Sequence, residues 1–149
     1  MKRFKFPLDT LLKYRINIEK KKKEEWAKAK MERVKAEERL EQIYAEERER
    51  REYLESLMEG ELDLREFQLV QRYIGQLIRL ERIQSKIVEE KKKVEEEKLK
   101  EWIEARKDKK VLENYREKKW KEYLYELDKE EQKMVDDLFL NSRRSANEN

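Results

Sequence analysis

Apolar residues recur along this chain at alternating steps of three and four, once from Leu8 and again from Phe67, with a single interruption between the two runs. The first run steps through Leu8, Leu12, Arg15, Glu19, Lys22, Trp26, Ala29, Arg33, Ala36, Leu40, Ile43, Glu47, Arg50, Leu54 and Leu57. Such spacing lines up one stripe on one side of an α-helix, which is a heptad seam. Arg15, Glu19, Lys22, Arg33, Glu47 and Arg50 interrupt it, so it predicts a coiled coil that is marginally stable and easily opened.

The interruption lies between Ser56 and Phe67. Gly60 is expected to take the left-handed conformation that closes a helix without a Cβ penalty. Asp63, followed three residues later by Glu66, has the form of a capping box and predicts a helix start. Stop, turn and start fall within about eight residues, a normal helix–helix connection. Gly75 lies inside an apolar periodic run with no cap signal after it, which predicts a mid-helix position.

The pattern therefore predicts an all-α fold: two long helices in one antiparallel coiled-coil hairpin over 1–140. Helix one is expected over about 7–58, opening at Pro7 where a first turn tolerates proline. The turn is expected at 59–63 and a longer helix two at 64–140. The polar, unpatterned stretch 141–149 is expected to be a flexible, frayed tail.

Helix two carries more than one stripe near the turn. Phe67, Val70, Ile74 and Leu77 form one line, while Leu69, Tyr73, Leu80 and Gln84 lie partly on a neighbouring one. Local thickening of the hairpin and a docking patch for another protein are both consistent with that surplus. The seam is expected to continue through Leu80, Gln84, Ile87, Lys91, Val94 and Lys98. It then shifts phase to Trp102, Ala105, Lys109, Leu112, Arg116, Trp120, Tyr123, Leu127 and Met134.

Folding about the turn sets Leu54 near Phe67, Leu40 near Leu80, Trp26 near Val94 and Leu12 near Lys109. Everything after about Leu112 is then left without a partner. This overhang holds Tyr115, Trp120, Tyr123 and Tyr125 with Leu124, Leu127, Met134, Val135, Leu138 and Phe139. An amphipathic helix with an uncovered face implies another protein, a dimer, or a bend back onto the hairpin, of which another protein is the favoured reading.

Composition narrows the chemistry. Half of the 149 residues are charged, with 39 basic and 36 acidic, and hydrophobic residues make up 37%. A thick core is unexpected, and such a balance suits a long helix or coiled coil. The runs Lys20 to Lys23 and Lys91 to Lys93 lead straight into glutamates, so they predict solvated helix faces and no nucleic-acid partner. With no cysteine and no histidine, a thiol nucleophile, an imidazole base and the usual zinc ligands are missing. No glycine-rich phosphate loop or G-x-S-x-G elbow is present. The expectation is a protein that is not an enzyme and takes no cofactor or metal. Nothing reads as a signal peptide or a run of 18 apolar residues, so the chain is expected in the cytosol with no membrane span.

Two ends carry a more specific likeness. The opening Phe4-x-Phe6-x-Leu8-x-x-Leu11-Leu12-x-x-Arg15 and the later segments Leu112-Glu113 and Glu130-Glu131-Gln132-Lys133-x-x-Asp136 resemble the FliJ family. That family is the small coiled-coil component of the flagellar type III export apparatus. Asp136-Asp137 departs mildly from the family's more frequent Asp-Glu. The resemblance implies a hairpin similar to the central stalk of rotary ATPases, its paired termini inserted into a hexameric flagellar export ATPase ring. Phe4, Phe6, Arg15, Glu131, Gln132, Lys133 and Asp136 would then contact the ring and help it assemble and hydrolyse ATP. The resemblance also implies contact with the export gate's membrane protein through Tyr73, Leu77, Leu80 and Gln84, which coincide with the surplus stripe. Export chaperones are an open addition to these partners. The implied location is the cytoplasm, peripherally at the inner membrane of the flagellar base. The rival reading is a coiled-coil adaptor, export chaperone or ATPase stalk subunit of another class.

Overall fold

The computed structural model describes residues 2–148, and they form two α-helices, α1 (Asp9–Leu57) and α2 (Leu64–Glu148). The two pack antiparallel, and no strand occurs among the described residues. Helix α1 begins slightly after Pro7, because the Asp9 N–H bonds back to the Phe6 carbonyl at 3.1 Å and the Leu12 N–H to the Leu8 carbonyl at 2.9 Å. The Asp9 carboxylate stands in that first turn, where the helix dipole favours a negative charge, and it pairs with Lys13 at 3.1 Å.

No glycine has a positive φ, so Gly60 does not close α1 in the left-handed way its sequence context predicted. The helix end instead tightens through three-residue closures, Met58 N–H to Glu55 carbonyl at 3.1 Å and Glu59 N–H to Ser56 carbonyl at 3.3 Å. Asp63 acts as the expected cap, its Oδ1 accepting the N–H groups of Arg65 at 3.1 Å and Glu66 at 3.4 Å. The Glu66 carboxylate also accepts the Tyr53 hydroxyl, which ties the start of α2 to α1. At the other end α2 continues through Glu148, so 141–148 is helical where polar composition suggested a frayed tail.

Contacts divide the chain into two compact units, Lys21–Ile103 and Met1–Lys20 with Glu104–Asn149. In the first, Ala29, Ala36 and Ile43 of α1 are buried with Val70, Ile74, Leu77 and Val88 of α2. Between the buried positions of α2, Glu81, Gln84, Lys91, Glu95, Lys98 and Trp102 are half-buried. Together with Phe67 these residues follow an unbroken count of three and four. The phase shift expected before Trp102 therefore does not occur. Leu80 and Val94 fall outside the seam, 43% and 39% exposed. A seam through Leu80 would require two consecutive steps of three and later two of four. Such discontinuities overwind and unwind a coiled coil. Keeping the count even puts Glu81 and Glu95 at the interface in place of two apolar neighbours.

Charges placed there are matched across the helices. Arg33 bonds Glu37 at 2.9 Å on its own helix and Glu95 on the other. Glu32 meets Lys91 at 3.4 Å, Glu25 meets Lys98 at 3.7 Å, and Lys22 meets Glu101 at 3.3 Å. Gln84 donates its amide to the Ala36 carbonyl at 2.9 Å. Trp26, expected beside Val94, stacks on Trp102 at 5.1 Å. The lysine pairs are open enough to water to contribute about 0–1 kcal/mol each, so they fix register more than they add stability.

One level opposes itself. Glu47 is buried, with Arg51 at 2.6 Å, and faces Glu81. The hydrogen bond with Glu47 holds the Glu81 carboxyl above the usual carboxylate range, with burial and Glu47's charge acting in the same direction and Arg51 and Arg82 pulling against them. In the second unit Phe6, Leu12 and Ala105 are buried, and the seam is held by Arg15 with Asp108 at 3.4 Å and Glu19 with Lys109 at 3.6 Å.

Two stability outcomes follow. A Cβ at Gly75, confirmed as mid-helix, would meet open space, so Gly75→Ala should stabilise the hairpin by about 1 kcal/mol in urea unfolding. A raised carboxyl pKa contributes stability that is present at low pH and lost as pH rises through the folded value. Glu81→Gln should therefore raise the melting temperature at neutral pH, and its advantage should vanish as pH falls into the carboxylate range.

Candidate docking surfaces

Residues 2–6, ahead of the turn at Pro7 and Leu8, form no helix, and Lys2, Phe4 and Phe6 lie along α2. In an extended segment alternate residues point the same way, which lets Phe4 and Phe6 face one side together. Phe6 packs on Tyr115 at 5.8 Å and is buried. Phe4 meets Trp120 edge-on at 5.1 Å and Tyr123 at 5.4 Å, while Trp120 and Tyr123 stack on each other at 5.6 Å. The Tyr123 hydroxyl donates to the Lys2 carbonyl at 3.0 Å, and the Arg116 guanidinium lies 5.7 Å above the Phe4 ring. This aromatic clasp corrects the expected boundary: α2 has a partner up to Tyr123, well past Leu112. Extended chain advances about 3.3 Å per residue against 1.5 Å in a helix, so a short strap covers about twice its own count of helical residues.

Beyond the clasp the large apolar side chains of α2, apart from half-buried Leu127, face solvent. Leu124, Tyr125, Met134, Val135, Leu138, Phe139 and Leu140 are 42–66% exposed. Their main line, Trp120, Leu124, Leu127, Glu131, Met134 and Leu138, keeps the heptad count but starts one residue out of step with the seam. Leu112, Arg116 and Trp120 are separated by two steps of four, a stutter that turns the stripe away from the α1-facing side. Glu131 stands within that stripe, whereas Gln132, Lys133 and Asp136 turn off it, all four exposed. Of the end residues singled out in the sequence, Phe4 and Phe6 are gathered into the clasp and Arg15 is engaged with Asp108. Glu131, Gln132, Lys133 and Asp136 lie farther along α2. Sequence reasoning missed that Tyr115, Trp120 and Tyr123 receive the strap, although the Phe-x-Phe alternation was the available signal.

A second surface lies in the Lys21–Ile103 unit. Tyr73 is half-buried, donates its hydroxyl to Glu46, and has the Arg50 guanidinium 4.9 Å above its ring. That bond to Glu46 is the main reason its hydroxyl is held above the ordinary tyrosine value. Leu77 is 2% exposed and forms part of the seam, while Gln84 spends an amide hydrogen on Ala36. Leu80 is open, and Leu69 at 58% and Ile83 at 57% flank it as an exposed apolar ribbon. Leu69, Leu80 and Ile83 share a face of α2, and Ile83 is the member that the sequence reading passed over.

Among the described residues no group of carboxylates is placed to hold a metal ion, and no helix is long and apolar enough to cross a membrane. The chain is thus an antiparallel coiled-coil hairpin whose informative surfaces are exposed apolar faces with charged borders. The family model described as "Flagellar FliJ protein" matches residues 4–149, essentially the whole chain, and the chain belongs to that family. Membership makes it a protein of flagellar export, in a family of structural export components. No curated protein and no solved structure matches it.

Removing the strap's anchor should open this end selectively. Phe6→Ala should cost about 2 kcal/mol of local stability, read as faster amide exchange over Tyr115–Tyr123, while Lys5→Ala, on the exposed side, should leave exchange there unchanged.

Proposed function

We propose that this chain is a stalk-like adaptor of flagellar export that joins a hexameric export ATPase to the export gate. The observation that carries this reading is the stretch of α2 after Tyr123, a helix whose apolar stripe is left largely uncovered by the described residues. A ring lumen is a surface of the right kind to receive such a helix. The clasp of Phe4 and Phe6 holds the base of that helix, so insertion would carry a braced end into the ring and promote its assembly and ATP hydrolysis. Glu131, Gln132, Lys133 and Asp136 would contact the ring directly, with Arg15 bracing the base through Asp108. The exposed ribbon at Leu69, Leu80 and Ile83, with Tyr73 and Gln84 at its border, would contact the gate's membrane protein, Leu77 supporting it from the seam. That arrangement holds the chain at the cytoplasmic side of the inner membrane without a span of its own, within reach of export chaperones.

A seam fixed by many weak ion pairs suits such a part, because contacts worth about 0–1 kcal/mol each yield without a single large barrier. The test is ATP hydrolysis and hexamer formation by the cognate export ATPase with this protein titrated in. Stimulation should be lost when the chain is cut after Tyr123 and kept in Leu80→Glu, which should instead weaken binding to the gate protein. Undiminished stimulation by the truncated chain would remove the overhang from the reading.

A further inference from the structure

Charge is not evenly spread through the unit that contains both termini. Its clasped base, residues 2–20 and 104–123, holds fourteen basic against seven acidic residues, whereas the overhang 124–140 holds six acidic against two basic. The overhang's acidic residues border an apolar stripe that is more than two-fifths exposed at every large side chain from Leu124 to Leu140 save Leu127. A helix with nothing packed on its apolar face is marginal in water, since most helical stability in proteins comes from packing that face. The base, in turn, offers a groove floored by Leu12, Ile16 and Trp120. Its rim carries both signs, with Lys13 and Arg116 beside Asp9, Glu113 and Glu117, so the positive excess comes from the wider base.

We propose that the free protein pairs with a second copy of itself, the acidic overhang of each chain lying antiparallel along the basic base of the other. Trp120 belongs both to the groove and to the start of the overhang's stripe, so groove and stripe form one continuous face. Two such faces related by a two-fold axis cover each other, with Trp120 near the axis and the overhang–base attraction made twice. The phase step between Arg116 and Trp120 makes this possible, because it moves the stripe off the seam and onto the side of α2 where Trp120 borders the groove. The pairing uses the surface assigned above to the ATPase ring, so ring binding and self-pairing would be mutually exclusive. The pairing is a property of the free protein, and its test contains no ATPase.

The experiment is sedimentation equilibrium of the full chain at low and high salt, with far-UV circular dichroism to verify helix content. The wild type should be dimeric at low salt and shift toward monomer as salt rises. One variant reverses the overhang (Asp128→Lys, Asp136→Lys, Asp137→Lys), leaving five basic against three acidic residues, and another the base (Lys20→Glu, Lys107→Glu, Lys110→Glu, Lys118→Glu, Lys121→Glu), leaving twelve acidic against nine basic. Each alone should self-associate about tenfold more weakly, because each sets like charges against like. Mixed in equal amounts they should form a heterodimer, since a basic overhang then meets an acidic base and an acidic overhang meets a basic one. A wild type that stays monomeric, self-association that ignores both reversals, or a mixture that fails to pair would each overturn the proposal.

Discussion

Two long helices in water are held together only by the stripe they share, and here that stripe must keep an even count of three and four to remain in contact. On α2 the count begins among apolar residues at Phe67, Val70, Ile74 and Leu77 and then runs into Glu81, Gln84, Lys91, Glu95 and Lys98. The chain accepts polar residues at the interface in preference to breaking step. Stripe continuity outranks local hydrophobicity because a skip alters the supercoil of every turn near it, whereas a single charge at the seam can be matched locally. Arg33 between Glu37 and Glu95, and Lys22 with Glu101, are the local matches.

That preference exposes a surface. Leu80 and Val94 are displaced from the seam by Glu81 and Glu95, and Leu80 joins Leu69 and Ile83 on the outside. The ribbon proposed to meet the export gate is thus what an even heptad count leaves over. At the other end the count does change, between Leu112 and Trp120, and there the exposed stripe of the overhang begins. Both proposed docking surfaces follow from how the stripe is kept or stepped.

The clasp separates what is braced from what is offered. Phe4 and Phe6 hold Tyr115, Trp120 and Tyr123, and beyond them α2 continues to Glu148 with its large apolar residues, Leu127 apart, in solvent. The chain around the clasp is basic and the helix beyond it acidic. A partner that covers the overhang therefore has to satisfy an apolar stripe and a negative border at once.

Sequence alone determined the helices, the break between them, the cap at Asp63, the mid-helix place of Gly75 and the surplus of apolar surface near the turn. These are local matters of spacing and capping, which do not depend on a neighbour. It did not determine which of two adjacent stripes is buried, because Leu80 and Glu81 both continue the count from Leu77, three and four residues on, and only the register against α1 chooses between them. Nor could it place the strap: the alternation of Phe4 and Phe6 signals an extended segment, but nothing in it says on which distant part of α2 that segment lies. The φ of Gly60 and the helicity of 141–148 were likewise outside its reach, the first because three-residue closures can end a helix without a left-handed residue. Tertiary structure decided these points, since each depends on a partner surface far away in the chain or on which of several allowed backbone solutions is taken.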